Sequence, residues 1–189
     1  VCSSDLFGTN KGLNYFEEKT NRFTHYFTQP NDPTSISNNY ISKIYKDGHN
    51  DVWVGTANGL NRWNRKTNTF TRFLANPKDH NSIINQLIYC ITEDKNGNIW
   101  IGGPNGMSRY NPKTNRFQNY TVQSGLPNNV VYGIIPDEKN RLWISTNRGI
   151  AALNLTDNTF RYFGPSDGLQ SWEFNGYSYF KSKKTGELF

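Results

Sequence analysis

The chain has 189 residues, 15% of them aromatic and 19% charged, with a formal net charge of +6. That length can bury a core of its own, and no apolar run approaches the roughly 20 residues a helix needs to cross a bilayer, so a membrane-spanning helix is excluded. Lys and Arg are scattered among Asn, Thr and Gly, which fits a solvated basic surface rather than a nucleic-acid footprint, although a mild positive field would help to collect an anionic ligand.

Residues 1–5, VCSSD, fit no part of the pattern carried by the other residues and are expected to be foreign to it. From Leu6 on the chain repeats itself. Leu6, Trp53, Trp100 and Trp143 each open a copy, followed six residues later by Gly12, Gly59, Gly106 and Gly149 and seventeen later by Phe23, Phe70, Phe117 and Phe160. Phe189 stands at the next opening position, giving steps of 47, 47, 43 and 46 residues. Self-similarity at about 40 to 50 residues is the period of propeller blades, not of helical repeats. The whole chain, 1–189, reads as one propeller fragment with units at 6–27 (partial), 37–73, 84–120, 127–163 and 172–189 (partial).

Four short strands, lettered a to d, are predicted in each unit. Strand a is a β-branched and aromatic run, YISKIY from Tyr40, LIYCIT from Leu87, VVYGII from Val130 and GYSYFK from Gly176. A polar turn containing Asp47, Asp94 or Asp137 leads to strand b at the Trp. Strand b turns at Lys11-Gly12, Asn58-Gly59, Asn105-Gly106 or Arg148-Gly149, where Asn-Gly suits the two positive-φ positions of a tight hairpin. Strand c ends at NRKTN, NPKTN or NLTDN, and the short strand d comes next as FTHY, FTRF, FQNY or FRYF. The fold class is therefore all-β, with about four four-stranded antiparallel blades.

Leu87, Ile88, Tyr89, Cys90 and Ile91 are apolar or aromatic on both faces, so strand a is expected to be covered on both sides by neighbouring blades. Cys2 and Cys90 form no disulfide framework, one lying outside the repeat and the other inside a buried strand. Because the copies start and stop at strand b, the fragment is expected to be an open arc of a larger propeller. The alternative is a four-bladed ring, closed by residues 176–181 lending strand a to strands b, c and d of residues 6–27.

Chemistry is sparse. His25, His49 and His80 occupy unrelated places in their repeats and form no spaced metal set. Glu17-Glu18, Glu93-Asp94 and Asp137-Glu138 are adjacent in the chain, which is no sign of cross-cleft carboxylates. The recurring Asp47, Asp94 and Asp137 point to side-chain-capped turns more than to calcium loops, whose glycine would stand elsewhere. No nucleophile elbow or phosphate-cradling loop is present, so no catalytic residue, metal or cofactor is assigned. What remains is a binding face. Asn39, Gln86, Asn129 and Asn175 each stand fourteen residues before an opening aromatic, just ahead of strand a. Amides donate and accept, which suits sugar hydroxyls, and Trp172 and Tyr40 offer stacking planes. The plainer reading is that these amides satisfy loop backbone.

The stretch ITEDKNGNIWIGGPNGMSRYNPKTNRFQNY, residues 91–120, resembles a two-component regulator propeller repeat, whose usual form is an apolar strand, Asp, a Gly turn, Trp-Ile-Gly-Thr, Gly-Leu, an aromatic-Asn pair and Thr-x-x-Phe. Residues 37–163 carry three full copies, with Leu6 in place of Trp, Ser145 in place of Gly and Leu153 in place of the strand c aromatic as departures. The closing DGLQSWEFNGYSYFKSKKTGELF is similar to the last blade of such sensors, which precedes an immunoglobulin-like domain, a membrane helix and a histidine kinase. The resemblance implies a piece of the periplasmic sensor of a hybrid two-component system, dimeric in the parent protein and responsive to an oligosaccharide or other small ligand. It carries no ligand residues, because the motif is structural. Other readings are a fragment of a propeller lyase or glycosidase, with catalytic groups in further blades, and a protein-interaction scaffold.

Overall fold

Period-2 runs separated by Asn- and Gly-rich turns have one low-energy outcome, the antiparallel meander. The computed structural model describes residues 4–176, 179–182 and 184–187, and within them the chain makes one three-stranded and three four-stranded sheets. The first is β1 (Ser4–Thr9), β2 (Gly12–Glu17) and β3 (Arg22–Tyr26). The second is β4 (Ile41–Lys46), β5 (Val52–Thr56), β6 (Gly59–Asn64) and β7 (Thr69–Phe73). The third is β8 (Cys90–Glu93), β9 (Ile99–Gly103), β10 (Gly106–Asn111) and β11 (Arg116–Tyr120). The fourth is β12 (Val131–Pro136), β13 (Arg141–Thr146), β14 (Gly149–Asn154) and β15 (Thr159–Phe163). All sequential pairs are antiparallel. Strands a of successive sheets lie side by side, β4 next to β8 and β8 next to β12, while β1 lies against β4.

Each turn has its own chemistry. Between strands a and b, Asp94 Oδ1 accepts from the backbone N–H of Asn96 and Asn98 (2.9 and 3.0 Å), and Oδ2 accepts from Trp100 Nε1 (2.8 Å). Asp47 does the same for Trp53 (2.8 Å) and Asp137 for Trp143 (3.0 Å). The capped turn expected from the sequence is thus present, and it also satisfies the indole N–H. Between strands c and d, Asn21, Asn68, Asn115 and Asn158 take φ of 54° to 62°, a conformation Asn tolerates best after Gly.

The hairpin between strands b and c differs from the expectation. Thr56 pairs with Gly59 and Gly103 with Gly106, so Ala57-Asn58 and Pro104-Asn105 span the turns, and the glycine opens strand c instead of occupying the turn. Only the glycines have positive φ, +94° at Gly59 and +129° at Gly106. The reason lies in strand d: a Cβ on Gly59 would run into the carbonyl oxygen of Phe73, and one on Gly106 into that of Tyr120.

The core lies between blades. Three clusters fill three junctions: Leu13 and Val54 with Trp63 and Phe70; Trp53, Leu60 and Ile88 with Tyr110; and Trp100, Met107 and Val131 with Leu153. At the first junction Tyr15 and Tyr26 each meet Trp63 edge-on at 5.4 Å, and at the second Trp53 meets Tyr110 at 5.5 Å. Each aromatic buries about 150–250 Å², a gross stabilisation of about 4–6 kcal/mol before entropy is counted. Glycine in strand b lets the blades close, since a Cβ on Gly8 would strike Ile41 and one on Gly55 would strike Ile88. Ser145 holds this place in the fourth sheet, and its hydroxyl is buried. Several scattered cations also cover rings: Arg62 lies over Trp53, Arg109 over Trp100 and Arg141 over Trp143 at 5.2–5.9 Å.

Strand a differs in two details. LIYCIT was expected to run from Leu87, but β8 starts at Cys90, because Ile88 N–H donates to Thr56 O of the preceding sheet (3.2 Å). Ser42 and Tyr132 are bulged out of register. The four-bladed ring is not formed: among the described residues β1 pairs only with β2, and Tyr179–Lys181 lie against β12 instead. Lys181 Nζ donates to Pro136 O (3.1 Å) and pairs with Glu138 (2.7 Å). The outer face of the first sheet stays open, with Phe7 and Phe23 50% and 56% exposed, so the molecule is an open arc. Cys2 and Phe189, with the readings placed on them, lie outside the described residues.

Candidate functional site

The loops from strand d to the next strand a, with the b–c hairpins, form one end of the arc, and all six candidate residues lie there. Two of the amides hold their own loops. Asn39 Oδ1 accepts from Thr28 N–H (2.7 Å) and Asn129 Oδ1 from Val122 N–H (2.8 Å). Gln86 is exposed, and its backbone carbonyl accepts from Gly59 N–H (2.5 Å), as that of Asn39 accepts from Gly12 N–H (2.7 Å). Tyr40 is 48% exposed at the start of strand a.

The fourth amide is displaced. Gly149 N–H donates to the carbonyl of Trp172 (2.6 Å), and Phe174 N–H to Thr146 O (3.3 Å), as Ile88 N–H does to Thr56 O. Trp172, not Asn175, therefore occupies the place of Asn39 and Gln86, and Asn175 stands three residues later on the exposed surface. Counting back from Phe189 misassigned this position, because the loop before Trp172 has the shorter spacing of the third unit: Gly149 precedes Trp172 by 23 residues, as Gly106 precedes Asn129.

Around Trp172 the surface sinks into a depression of about 370 Å³, lined by Val122, Gly125, Pro127, Arg148 and Tyr162 among others. The indole lies across Gly164 and beside Gly149; a Cβ on Gly164 would collide with its ring. One ring face therefore rests on bare backbone while the side chain stays 51% exposed. Tyr162 donates its hydroxyl to Gly125 O (2.8 Å) and is 53% exposed. Arg148 is exposed at the tip of its hairpin and, among the described residues, forms no salt bridge. Sequence reasoning missed Arg148 and Tyr162; the available signal was their departure from the Asn58, Asn105 and Arg72, Asn119 that hold the same places in other units.

A second cavity of about 600 Å³ lies at the opposite half of strands a, between Lys43, Glu93, Ile135, Glu138 and Lys181. Its charges are engaged internally: Glu93 accepts from Gly48 N–H (2.6 Å) and Lys181 pairs with Glu138. Nearby Cys90 is fully buried, and burial pushes its thiol up to about 12. Among the described residues no group of three His, Cys, Asp or Glu side chains is arranged to hold a metal.

Residues 35–58, 82–105 and 125–148 match the model of the two component regulator propeller, each segment running from the loop before strand a through the b–c hairpin. Over these three segments the chain is similar to the two-component regulator propeller repeat. The fold agrees. The chain is similar to the extracellular domain of BT3049 of B. thetaiotaomicron, assigned to a hybrid two component system, at 26% identity and a TM-score of 0.75 over 85% of this chain and 23% of that one. It shares its fold with the extracellular domain of BT4673 of the same organism, at 24% identity and a TM-score of 0.79 over 98% of this chain and 26% of that one. These propeller repeats thus span about a quarter of the length of those domains. No curated protein sequence matches the chain. Among the described residues no helix is long and apolar enough to cross a membrane.

Proposed function

We infer that these propeller repeats are part of an extracytoplasmic, periplasmic sensor of a two-component signalling protein, and that the loop face around Trp172 receives a carbohydrate ligand. The sensor part is supported by the likeness to extracellular domains of two-component systems. One observation carries the ligand part: where other units place an amide, this unit presents an indole seated on Gly164 with half its surface open. Flat aromatic platforms stack on the apolar face of a pyranose, and flanking polar groups fix its orientation. In this reading the fragment binds and does not catalyse. Further blades of the same chain cover the open face of β1–β3, and the kinase belongs to the longer parent protein, a homodimer whose subunit arrangement shifts when the ligand favours one state.

Calorimetric titration with oligosaccharides tests the ligand part. Sugar binding that is weakened at least about tenfold by Trp172→Ala is expected, a loss of about 1.4 kcal/mol. Binding by no sugar, or binding indifferent to Trp172→Ala, would remove it. The sensor part is tested separately, by ligand-dependent phosphorylation in the full-length parent.

A further inference from the structure

We propose that the Trp172 depression is a subsite for a carboxylated sugar, a hexuronate residue of an oligosaccharide, with Arg148 as its specificity-determining cation. This rests on the carbohydrate reading of the loop face and deepens it.

Three features of the site converge on that chemistry. The indole of Trp172 packs across Gly164 with Gly149 beside it and keeps half its surface open, so it offers an apolar platform. Tyr162 is tied through its hydroxyl to Gly125 O (2.8 Å), so its ring is held at the same rim. Arg148 has its backbone fixed by Thr146 Oγ1, which accepts from Arg148 N–H (2.9 Å), while its guanidinium enters none of the salt bridges among the described residues. Several other cations are occupied, Arg62 with Asp51, Arg141 with Asp137, Lys181 with Glu138 and Arg109 over Trp100, whereas Arg148 enters no such pair among the described residues and stands at this rim. An uncommitted guanidinium at the rim of an aromatic platform is suited to a planar carboxylate, which it takes through two parallel N–H donors.

The site is also particular to this unit. The equivalents of Arg148 are Lys11, Asn58 and Asn105, and those of Trp172 are Asn39, Gln86 and Asn129, so cation and indole meet only here. Residues that break a repeat without serving its packing are where function is expected. The net charge of +6 adds a general attraction for an anionic ligand.

The test uses the full chain and matched sugars. Oligogalacturonates, oligomannuronates and glucuronate-containing oligosaccharides are titrated against carboxyl-reduced counterparts of the same linkage, with binding read by tryptophan fluorescence and calorimetry. At least one acid form is expected to bind about tenfold or more tightly than its reduced partner, with that advantage shrinking as salt is raised. Arg148→Gln, an exposed hairpin-tip change, should erase the advantage, bringing acid and reduced sugars to similar affinities, whereas Trp172→Ala should weaken both forms. Equal binding of acid and reduced sugars, or an acid preference that survives Arg148→Gln, overturns this inference while the carbohydrate reading stands. Binding of neither form overturns both.

Discussion

Asp47, Asp94 and Asp137 each close a turn with one carboxylate oxygen and hold a buried or half-buried indole N–H with the other. For Asp137, burial works against the charge, but hydrogen bonds from Trp143, Arg141 and Lys139 outweigh it and hold the carboxyl below the usual aspartate range. Its stabilising effect is therefore present above the unfolded value of about 3.9 and is lost as pH falls through the lower folded value. Urea midpoints should show wild type more stable than Asp137→Asn near neutral pH, with the gap closing on acidification below about pH 4. A second residue-scale device is a substitution within the repeat. Thr56 Oγ1 donates to Gly59 O and accepts from Asn58 N–H (both 3.0 Å); in the next unit Gly103 lacks the hydroxyl, and buried Asn85 reaches in to donate to Gly106 O (2.9 Å) and accept from Asn105 N–H (2.8 Å). A Cβ on Gly103 would collide with that side chain. Asn85→Ala should cost about 1–3 kcal/mol by chemical denaturation, and Gly103→Thr should destabilise the protein in either background, because its Cβ would also meet the backbone carbonyl oxygen of Leu87.

At the scale of elements, the b–c hairpin shows why a strong local signal can mislead by one residue. Asn-Gly is the best two-residue hairpin pair, yet the threonine hydroxyl and the carbonyl of strand d decide the register together, and neither is visible in a window of four residues. Gly59→Ala should cost about 3 kcal/mol or more, from positive φ together with the clash against Phe73 O, measured as a drop in denaturant midpoint. The same substitution at Gly168, also at positive φ but with open space around its Cβ position, should cost only the conformational part, about 1–2 kcal/mol.

For the whole molecule, the blades were legible because Trp, Gly and Phe keep fixed offsets that every junction reuses. The candidate site was less so. The positions of Trp172, Arg148 and Tyr162 are exceptions to the period, and a reading built on periodicity passes over them; the true spacing of the loop before Trp172 is marked by Gly168-Leu169, which precede it as Gly125-Leu126 precede Asn129. Asn39 and Asn129, read as candidate ligand groups, hold loop backbone, which their type alone left open. The open face of β1–β3 gives a prediction at this scale. Phe7 and Phe23 stand where the second sheet has Val54 and Phe70, which are buried by its neighbour. Phe7→Ser with Phe23→Ser should reduce self-association of the chain in sedimentation or light scattering with little change in stability, whereas Phe70→Ala should cost about 3–5 kcal/mol.

The aspartate clamp begins and ends within a single turn, and the fit of glycine on isoleucine at Gly8 and Gly55 is the same from one seam to the next. That self-sufficiency has a genetic corollary. An in-phase duplication of 47 codons, the distance from Trp53 to Trp100, would carry a full set of donors, acceptors and wedge-shaped side chains with it, so such an arc of blades can lengthen without having to invent a new contact surface.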